Sequence, residues 1–422
     1  MSRQSKYLLP FVLLLMFAVD CSSLEKTFYT RTRIFTLDSS SSRRPLNASE
    51  PHVVINRRNP DNIVGGSILD NVYFTLNSGD TWTHTQLFSP YGAYGDPVLI
   101  SDDGGRIYYF HLSPGTKPES WLEGIVMQYS DNGGKTWSPG VLIGKNLPKQ
   151  QDKPWPALDN ETGRLAVSWT EFDRYKSSDP RDKSRILISF SDDRGYTWTP
   201  PVRINDIDGN CLDDDFTVEG AVPLFDNAGN VYVVWAFDGK IWFDYSDDGG
   251  KTWHRDRVIA RQKAGWNFVV AGIYRANGLP NFFRDKKENF YVIFGDKDPN
   301  AVIRILYSTD KGQTWKGPYT LPHNGRDQFF PAAAYDEKSH RIVLLYYDRS
   351  RTQGTATETV LRFYSPGKGI GTEKILTSAP FIPDPTLFFG DYIGIDARHN
   401  RIAAVWTEIR KGRTYVKAAL LD

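Results

Sequence analysis

The chain of 422 residues carries 51 lysines and arginines against 50 aspartates and glutamates, so its net charge is close to zero. It contains no basic stripe, RNA-binding aromatic motif or acidic tail, and we therefore expect no nucleic-acid partner. Aromatic residues make up 14 % of the chain, a content typical of β-rich proteins whose strands carry aromatic side chains.

Residues 1–24 are predicted to be a signal peptide. Arg3 and Lys6 form a basic start, and residues 8–19 are an apolar run that is shorter than the roughly 20 residues needed to cross a bilayer. Cys21, followed by two serines, is also similar to the start of a bacterial lipoprotein, so a lipid anchor at Cys21 is the alternative. Both interpretations predict a secreted or otherwise extracytoplasmic protein, in the second case a membrane-anchored lipoprotein.

A short motif occurs five times, with the pattern [Ser/Thr]-x-[Asp/Asn]-x-Gly-x-Thr-Trp. Its tryptophans are separated by 55, 61, 55 and 62 residues, a period long enough for one four-stranded sheet with its loops. A tight polar turn at a regular period indicates a repeat architecture. The copies are residues 75–82, 130–137, 191–198, 246–253 and 308–315.

A second element occurs seven times, and it predicts seven blades. It is an apolar strand that starts at a polar or glycine residue, ends in an Asp or Asn turn and is followed by a second apolar strand. The sixth copy has no motif after it, and the seventh is followed by too few residues for four strands. We expect the β-rich segment 27–37 to supply the missing strand, which leaves no open sheet edge. The copies are residues 50–56, 96–102, 153–159, 220–226, 279–285, 330–336 and 390–396.

These patterns predict an all-β protein in which residues 25–422 form a single seven-bladed β-propeller. The innermost strand of each blade lines a central channel, and the residues that start these strands form one rim. Crowded carboxyl groups there raise one another's pKa, which makes an acid and a base from the same residue type. We predict catalytic roles for Glu219, Asp152, Asp327 and Asp391. We predict substrate contacts for Glu50, Asp96, Lys153, Trp155, Arg275, Gln328 and Tyr392. The alternative is that these carboxylates only bind backbone amides or water.

Other chemistries have weaker support in the sequence. The seven histidines show no paired zinc spacing, and His111 is the best candidate for a histidine that reaches the channel. The oxygen-rich loop 206–215 suits Ca²⁺ or is simply a solvated acidic loop, and its spacing is not that of an EF-hand. We expect no other cofactor and no other metal. Residues 260–277 carry Trp266 and Tyr274 and suit a lid or a sugar platform.

The five-fold motif resembles the Asp-box, or BNR, repeat of sialidases and related β-propellers. Sialidases use three arginines to hold a substrate carboxylate, a tyrosine nucleophile supported by a glutamate, and an aspartic acid as proton donor. The Arg-Ile-Pro signature of that family is not found here, and Arg275 is the only arginine near the start of the inner strand in blade 5. The trio therefore does not transfer residue by residue. Other seven-bladed Asp-box propellers act on polysaccharides as hydrolases or lyases, or bind without catalysis.

The leading hypothesis is a monomeric, sialidase-like glycoside hydrolase that cleaves an acidic glycan at the mouth of the channel. Its partner would be a glycan or polysaccharide. The alternatives are a non-catalytic propeller that binds a glycan or a protein, and a polysaccharide lyase with a tyrosine or histidine base.

Overall fold

The computed structural model describes residues 29–41, 48–115, 121–263, 265–266 and 268–422. Within these ranges the chain forms 28 β-strands, and none of it forms a helix long and apolar enough to cross a membrane. The strands make seven antiparallel four-stranded sheets, so the protein is an all-β, seven-bladed propeller. The predicted signal peptide and Cys21 lie outside the described ranges.

The blades follow one another in chain order. The first strand, β1 (Thr32–Ser39), belongs to the last blade. Blade 1 contains β2 (His52–Ile55), β3 (Ile63–Ser67), β4 (Asn71–Thr75) and β5 (Thr83–Gln86). Blade 2 contains β6 (Val98–Ser101), β7 (Ile107–Ser113), β8 (Gly124–Ser130) and β9 (Val141–Ile143). Blade 3 contains β10 (Gln150–Leu158), β11 (Leu165–Phe172), β12 (Ser184–Ser191) and β13 (Val202–Arg203).

The remaining blades repeat this order. Blade 4 contains β14 (Glu219–Phe225), β15 (Val231–Phe237), β16 (Lys240–Ser246) and β17 (Arg257–Arg261). Blade 5 contains β18 (Asn281–Arg284), β19 (Phe290–Lys297), β20 (Ala301–Ser308) and β21 (Lys316–Thr320). Blade 6 contains β22 (Gln328–Asp336), β23 (Arg341–Asp348), β24 (Glu358–Ser365) and β25 (Gly369–Ile375). Blade 7 contains β26 (Gly394–Arg398), β27 (Arg401–Arg410) and β28 (Arg413–Leu421) together with β1.

The first and last strands that the structure describes, β1 and β28, meet in blade 7 and close the ring. β1 pairs antiparallel with β28, from Thr32 opposite Leu421 to Ser39 opposite Tyr415. The inner strands contact one another in the closed circle β2-β6-β10-β14-β18-β22-β26. The prediction that an N-terminal strand closes the ring is therefore confirmed. The predicted segment was 27–37, and the observed strand is Thr32–Ser39. With β1 the last blade has four strands like the others, and the edge of β28 is covered.

The five Asp-box turns are held by their own side chains. In each box the first hydroxyl accepts a hydrogen bond from the backbone N–H of the glycine, as Ser246 does from Gly250 at 2.8 Å. The Asp or Asn side chain accepts one from the backbone of the threonine, as Asp248 does from Thr252 at 3.0 Å. Blade 6 lacks the box, as predicted, and a tight turn joins Ser365 to Gly369 instead. The boxes therefore have the structural role that local side-chain bonding gives to turns.

The central glycine of each box is also where one blade meets the one before it. A Cβ atom on Gly79 in blade 1 would lie 2.7 Å from Leu420 in blade 7, and one on Gly134 in blade 2 would lie 3.2 Å from Phe74 in blade 1. Later boxes repeat this contact. Because interiors are close-packed, a larger residue at these points would push neighbouring blades apart. The spacing of the Asp-boxes along the chain thus matches the spacing of the contacts between neighbouring blades.

We expect Gly250→Ala to destabilise the protein more than Gly229→Ala. Both glycines lie in blade 4 with left-handed φ values, +88° and +80°, so alanine carries a similar backbone penalty at either site. A Cβ atom on Gly250 would overlap Phe190 of blade 3, whereas one on Gly229 would meet nothing within 4 Å. Urea unfolding should show a loss of about 1 kcal/mol for Gly229→Ala, and an additional loss of about 1–3 kcal/mol for Gly250→Ala. Equal losses would mean that the joint tolerates a methyl group.

Candidate functional site

Near the start of the inner strand, one residue has a left-handed backbone in six of the seven blades that the structure describes. This conformation is costly for residues with a Cβ atom. In blades 3, 4 and 6 it coincides with a β-bulge, which interrupts the regular alternation of side chains. Several blades can therefore direct polar side chains into the same end of the channel, which we call the channel mouth. The six residues are Glu50 (φ +50°), Asp96 (+49°), Lys153 (+55°), Gly220 (+68°), Phe330 (+49°) and Gly390 (+91°).

Eight charged side chains meet at the channel mouth, and we call them the acidic cluster. They come from the starts of the inner strands and from the loops that precede β14 and β18. Acids outnumber bases by six to two in this group. The acidic cluster consists of Glu50, Asp96, Asp152, Asp213, Glu219 and Asp391 with Lys153 and Arg275.

Asp391 lies at the centre of the acidic cluster and binds both cations. Its carboxylate is 2.6 Å from the Lys153 Nζ atom, and Arg275 approaches it side-on, with the Nε atom 2.9 Å from Oδ1 and an Nη atom against Oδ2. The Asp391 backbone N–H donates to Glu50 Oε1 at 3.2 Å, and its carbonyl accepts from the Asn277 side chain at 2.9 Å. Asp391 therefore joins blade 7 to blade 3 and to the loop before blade 5.

Trp266 forms a roof over the two cations. The Lys153 Nζ atom is 5.3 Å from the centre of the indole ring, and the Arg275 guanidinium carbon is 4.8 Å from it, within the range of cation–π attraction. The Trp266 backbone N–H donates to Asp215 at 2.6 Å, and the side chain is almost fully buried. The loop before blade 5 thus packs Trp266 against both cations of the channel mouth.

The remaining carboxyl groups differ in how well they are bonded. Asp213 accepts from the Tyr175 hydroxyl at 2.7 Å and lies 3.4 Å from Arg275, and Asp152 accepts from the Lys153 backbone N–H at 2.9 Å. Glu219 is 0 % exposed, and neither of its carboxyl oxygens has a hydrogen-bond partner among the described residues. A buried, unbonded carboxyl group is costly, so it calls for an explanation.

Burial and the neighbouring charges give these carboxyl groups opposite protonation states. Burial, strengthened by Asp213 and Asp152, raises the pKa of Glu219 well above its usual range, and burial raises the pKa of Asp152 to about 8. The pKa of Glu50 is also raised, by burial and by the Asp96 charge. Burial would raise the pKa of Asp391 too, but Lys153 and Arg275 lower it to about 2. At neutral pH the acidic cluster therefore holds protonated carboxyl groups beside an ionised one.

A cavity of about 60 Å³ lies inside the channel mouth, between residues of blades 2 to 7. This volume suits a few water molecules and is too small for a sugar ring. Trp155 lines this cavity and also a wider funnel of about 640 Å³ that opens on the opposite face of the ring. The Trp155 ring meets Tyr392 edge-on at 6.1 Å, and Trp155 lies between the cavity and the funnel.

Most of the predicted site residues come together at the channel mouth, but two do not. Asp327 lies 3.3 Å from Arg349 and accepts from the Ala301 backbone at 3.0 Å, outside the acidic cluster. Gln328 donates to the Pro322 carbonyl at 2.9 Å. The bulge in β22 places Phe330 at the cavity instead, which the sequence pattern did not reveal. The predicted residues that do meet there are Glu50, Asp96, Asp152, Lys153, Trp155, Glu219, Arg275, Asp391 and Tyr392.

The acidic loop 206–215 contributes to the site in a way that the sequence did not indicate. Its aspartates point to separate partners: Asp206 binds the Asp256 backbone, Asp208 binds Arg203 and Asp213 joins the acidic cluster. Across the described parts of the chain, no group of three His, Cys, Asp or Glu side chains could hold a metal ion. The run of acidic residues marked this loop as a candidate site. It did not show that Asp213, rather than a neighbouring aspartate, would join the acidic cluster.

His111 does not reach the channel. It lies on the second strand of blade 2, completely buried, with its ring nitrogens bonded to the Leu112 carbonyl and the Gln128 side chain at 3.0 Å each. His111 was the best candidate among the histidines for a place in the channel, and it is a packed core residue.

We expect Asp391→Asn to lower the free energy of unfolding by about 3 kcal/mol, because it leaves Lys153 and Arg275 buried without their shared anion. Asp103→Asn serves as the control. Asp103 binds Arg57 at the surface with 64 % of its side chain exposed, and its loss should cost less than about 1 kcal/mol. Urea unfolding at neutral pH measures both. Equal losses would show that the Asp391 carboxylate does not stabilise this part of the fold.

Stability should fall as the pH rises from about 5 to about 8. Asp152 keeps its proton in the folded protein up to a pKa of about 8, whereas the unfolded chain releases it in the acid range. The folded state therefore binds more protons in this window, and its advantage is lost as the pH increases. Glu219 and Glu50 act in the same direction. Thermal unfolding of Asp152→Asn should show a weaker pH dependence than the unsubstituted protein, and an identical dependence would contradict the assignment.

Comparison with known proteins agrees with this architecture. The family model of the BNR/Asp-box repeat matches residues 128–139 and 244–255. An ulvan lyase of a new polysaccharide lyase family, bound to a GlcA(1-4)Rha3S oligosaccharide, has a TM-score of 0.55 at 12 % identity over 91 % of this chain and 95 % of its own.

Two further solved structures show the same fold. A protein of unknown function from Dyadobacter fermentans has a TM-score of 0.53 at 15 % identity, over 77 % of this chain and 93 % of its own. A variant of the NanB sialidase from Streptococcus pneumoniae has a TM-score of 0.51 at 11 % identity, over 86 % and 83 %. The chain is therefore a seven-bladed β-propeller built on BNR/Asp-box repeats, with a sialidase-like fold.

Proposed function

We propose that the protein is an extracytoplasmic glycoside hydrolase that works at the channel mouth with Asp152 and Glu219 as its pair of carboxyl groups. One observation carries this proposal: two buried carboxyl groups, each with a pKa raised by burial, lie in the acidic cluster next to residues that line the cavity, while Asp391 binds the two cations of the cluster. Glycoside hydrolases use a carboxyl pair in which one member protonates the leaving oxygen. The basic, apolar start of the chain supports secretion.

Asp152 is the better proton donor of the two. Its pKa of about 8 keeps the proton in place at neutral pH but leaves it transferable, since general acids work best with a pKa near the working pH. Asp391 then acts as a positioning residue, because it holds Lys153 and Arg275 in fixed places beside the pair. Glu219 becomes the second carboxyl group once it has lost its proton.

A glycan can reach the pair only if the roof moves. The present cavity is too small for a sugar, and the buried Trp266 packs on Lys153 and Arg275 within the same cluster. Displacement of a loop to admit a substrate is common in enzymes. Outside the roof, Tyr274 is 59 % exposed and meets Phe388 edge-on at 6.1 Å, so these rings offer a surface on which the next sugar of a chain could stack.

Sialidases and an ulvan lyase share this fold, which supports a glycan as the ligand without selecting a reaction. A lyase would need a tyrosine or histidine base. Tyr175 is the tyrosine bonded within the acidic cluster, but its hydroxyl donates to Asp213, and burial raises its pKa. Burial lowers the pKa of His52 to about 4, and His52 packs on the far side of Trp155, in the wall of the funnel. Hydrolysis is therefore the reaction that we propose.

The experiment is to incubate the mature protein with a panel of neutral, amino and acidic glycans and to read the products by mass spectrometry. We expect products that have gained one water, and a loss of activity of at least about 100-fold in Asp152→Asn and in Glu219→Gln. Glu161→Gln is the matched control, because Glu161 is exposed in the funnel on the opposite face. Unsaturated products would establish a lyase instead. Full activity in either carboxyl variant would remove that residue from the mechanism.

A further inference from the structure

The charge of the ligand can be inferred from which charged groups of the acidic cluster are already paired with one another. Arg275 binds Asp391 through two nitrogens and lies 3.4 Å from Asp213, and the Lys153 ammonium is 2.6 Å from Asp391 and 3.4 Å from Asp96. Trp266 covers the open side of both cations. Within the described residues, neither cation of the cluster is available to a ligand carboxylate, because Asp391 already occupies that position.

An anionic sugar would also face repulsion. The ionised Asp391 carboxylate lines the cavity and already binds both cations, so a ligand carboxylate would enter beside an anion. Burying like charges together costs several kcal/mol, and binding sites commonly select their ligands by such repulsion. This argues against the acidic glycan that the sequence suggested.

Glu219 is the group to which a ligand would supply a hydrogen-bond partner. It is fully buried, neither of its oxygens has a hydrogen-bond partner among the residues that the structure describes, and the next two residues, Gly220 and Ala221, line the cavity. The titratable and charged groups that interact with it are Asp213, Asp152, Lys153, Arg275 and Tyr175. Asp213 and Asp152 are acids, and Tyr175 donates its hydroxyl to Asp213. The two cations, Lys153 and Arg275, are bound by Asp391. Ionised Glu219 therefore needs a third cation.

We propose that the ligand supplies this cation: the glycan carries a protonated amine, as an amino sugar does, which pairs with the Glu219 carboxylate at the channel mouth. This inference rests on the proposed glycan-directed function and names its substrate class. On binding, the O–H bond of the Glu219 carboxyl group breaks, its proton leaves to solvent and the ammonium group remains protonated. The same event produces the ionised carboxylate that hydrolysis requires and that the empty site lacks.

Isothermal titration calorimetry with three matched oligosaccharides tests this proposal. They are glucosamine oligomers, the same oligomers with every amine acetylated, and galacturonic acid oligomers of equal length. Measurements in two buffers with different ionisation enthalpies report the number of protons released. At a pH below the pKa of the sugar amine, we expect the glucosamine oligomers to bind at least about tenfold more tightly than the acetylated ones, because a hydrogen bond to a charged group is worth about 1.5–3 kcal/mol. We expect close to one proton to be released for each oligomer that binds.

Glu219→Gln should abolish both the preference for the amine and the proton release, while Glu161→Gln should change neither. Tighter binding of the galacturonic acid oligomers, or equal binding of amine and acetylated sugars without proton release, would overturn the amine proposal and leave glycan hydrolysis intact. A protein that neither binds nor cleaves any glycan of either panel would overturn the proposed function and this inference together. The comparison of ligands on the unsubstituted protein decides the matter even if a variant folds poorly.

Discussion

The carboxylate of Asp391, held by Lys153 and Arg275, is the interaction on which the centre of this molecule depends. It connects blade 7, blade 3 and the loop before blade 5 across the channel, where no backbone pairing links them. The pair of cations keeps Asp391 ionised in spite of burial, and Asp391 is the acid that both cations bind. Burial, strengthened by neighbouring acids, raises the pKa of Glu219, and burial raises the pKa of Asp152.

The acidic cluster therefore contains carboxyl groups in two protonation states. Asp391 is an anion because two cations bind it, whereas Glu219 and Asp152 retain protons because burial outweighs the positive charge that is left for them. Paired carboxyl groups with separated pKa values are what acid–base chemistry on a glycosidic bond needs. Left-handed residues and β-bulges strain the backbone at the starts of the inner strands. They bring charged side chains together at the channel mouth, whereas a regular strand would point successive side chains to opposite faces.

Much of the architecture was predictable because it is built from local signals. Each Asp-box makes its own turn with side chains four residues apart, and its glycine must sit against the preceding blade, so the period of the motif reports the period of the blades. The closing strand was predictable from the shortage of strands at the end of the chain. The site was only partly predictable: the rule that strand starts form the rim located Glu219, Asp152 and Asp391, but it also selected Asp327 and Gln328, which the bulge in β22 excludes.

The amino-acid sequence by itself determined the number of blades, the turns between their outer strands and the strand that closes the ring, because these depend on contacts between residues close in sequence or on a repeated pattern. Only the tertiary structure decided which acids are ionised. That outcome depends on side chains more than a hundred residues apart, such as Arg275 and Asp391, and on the burial that Trp266 provides. Charge and dielectric environment are properties of the assembled channel, and a linear pattern of carboxylates does not contain them.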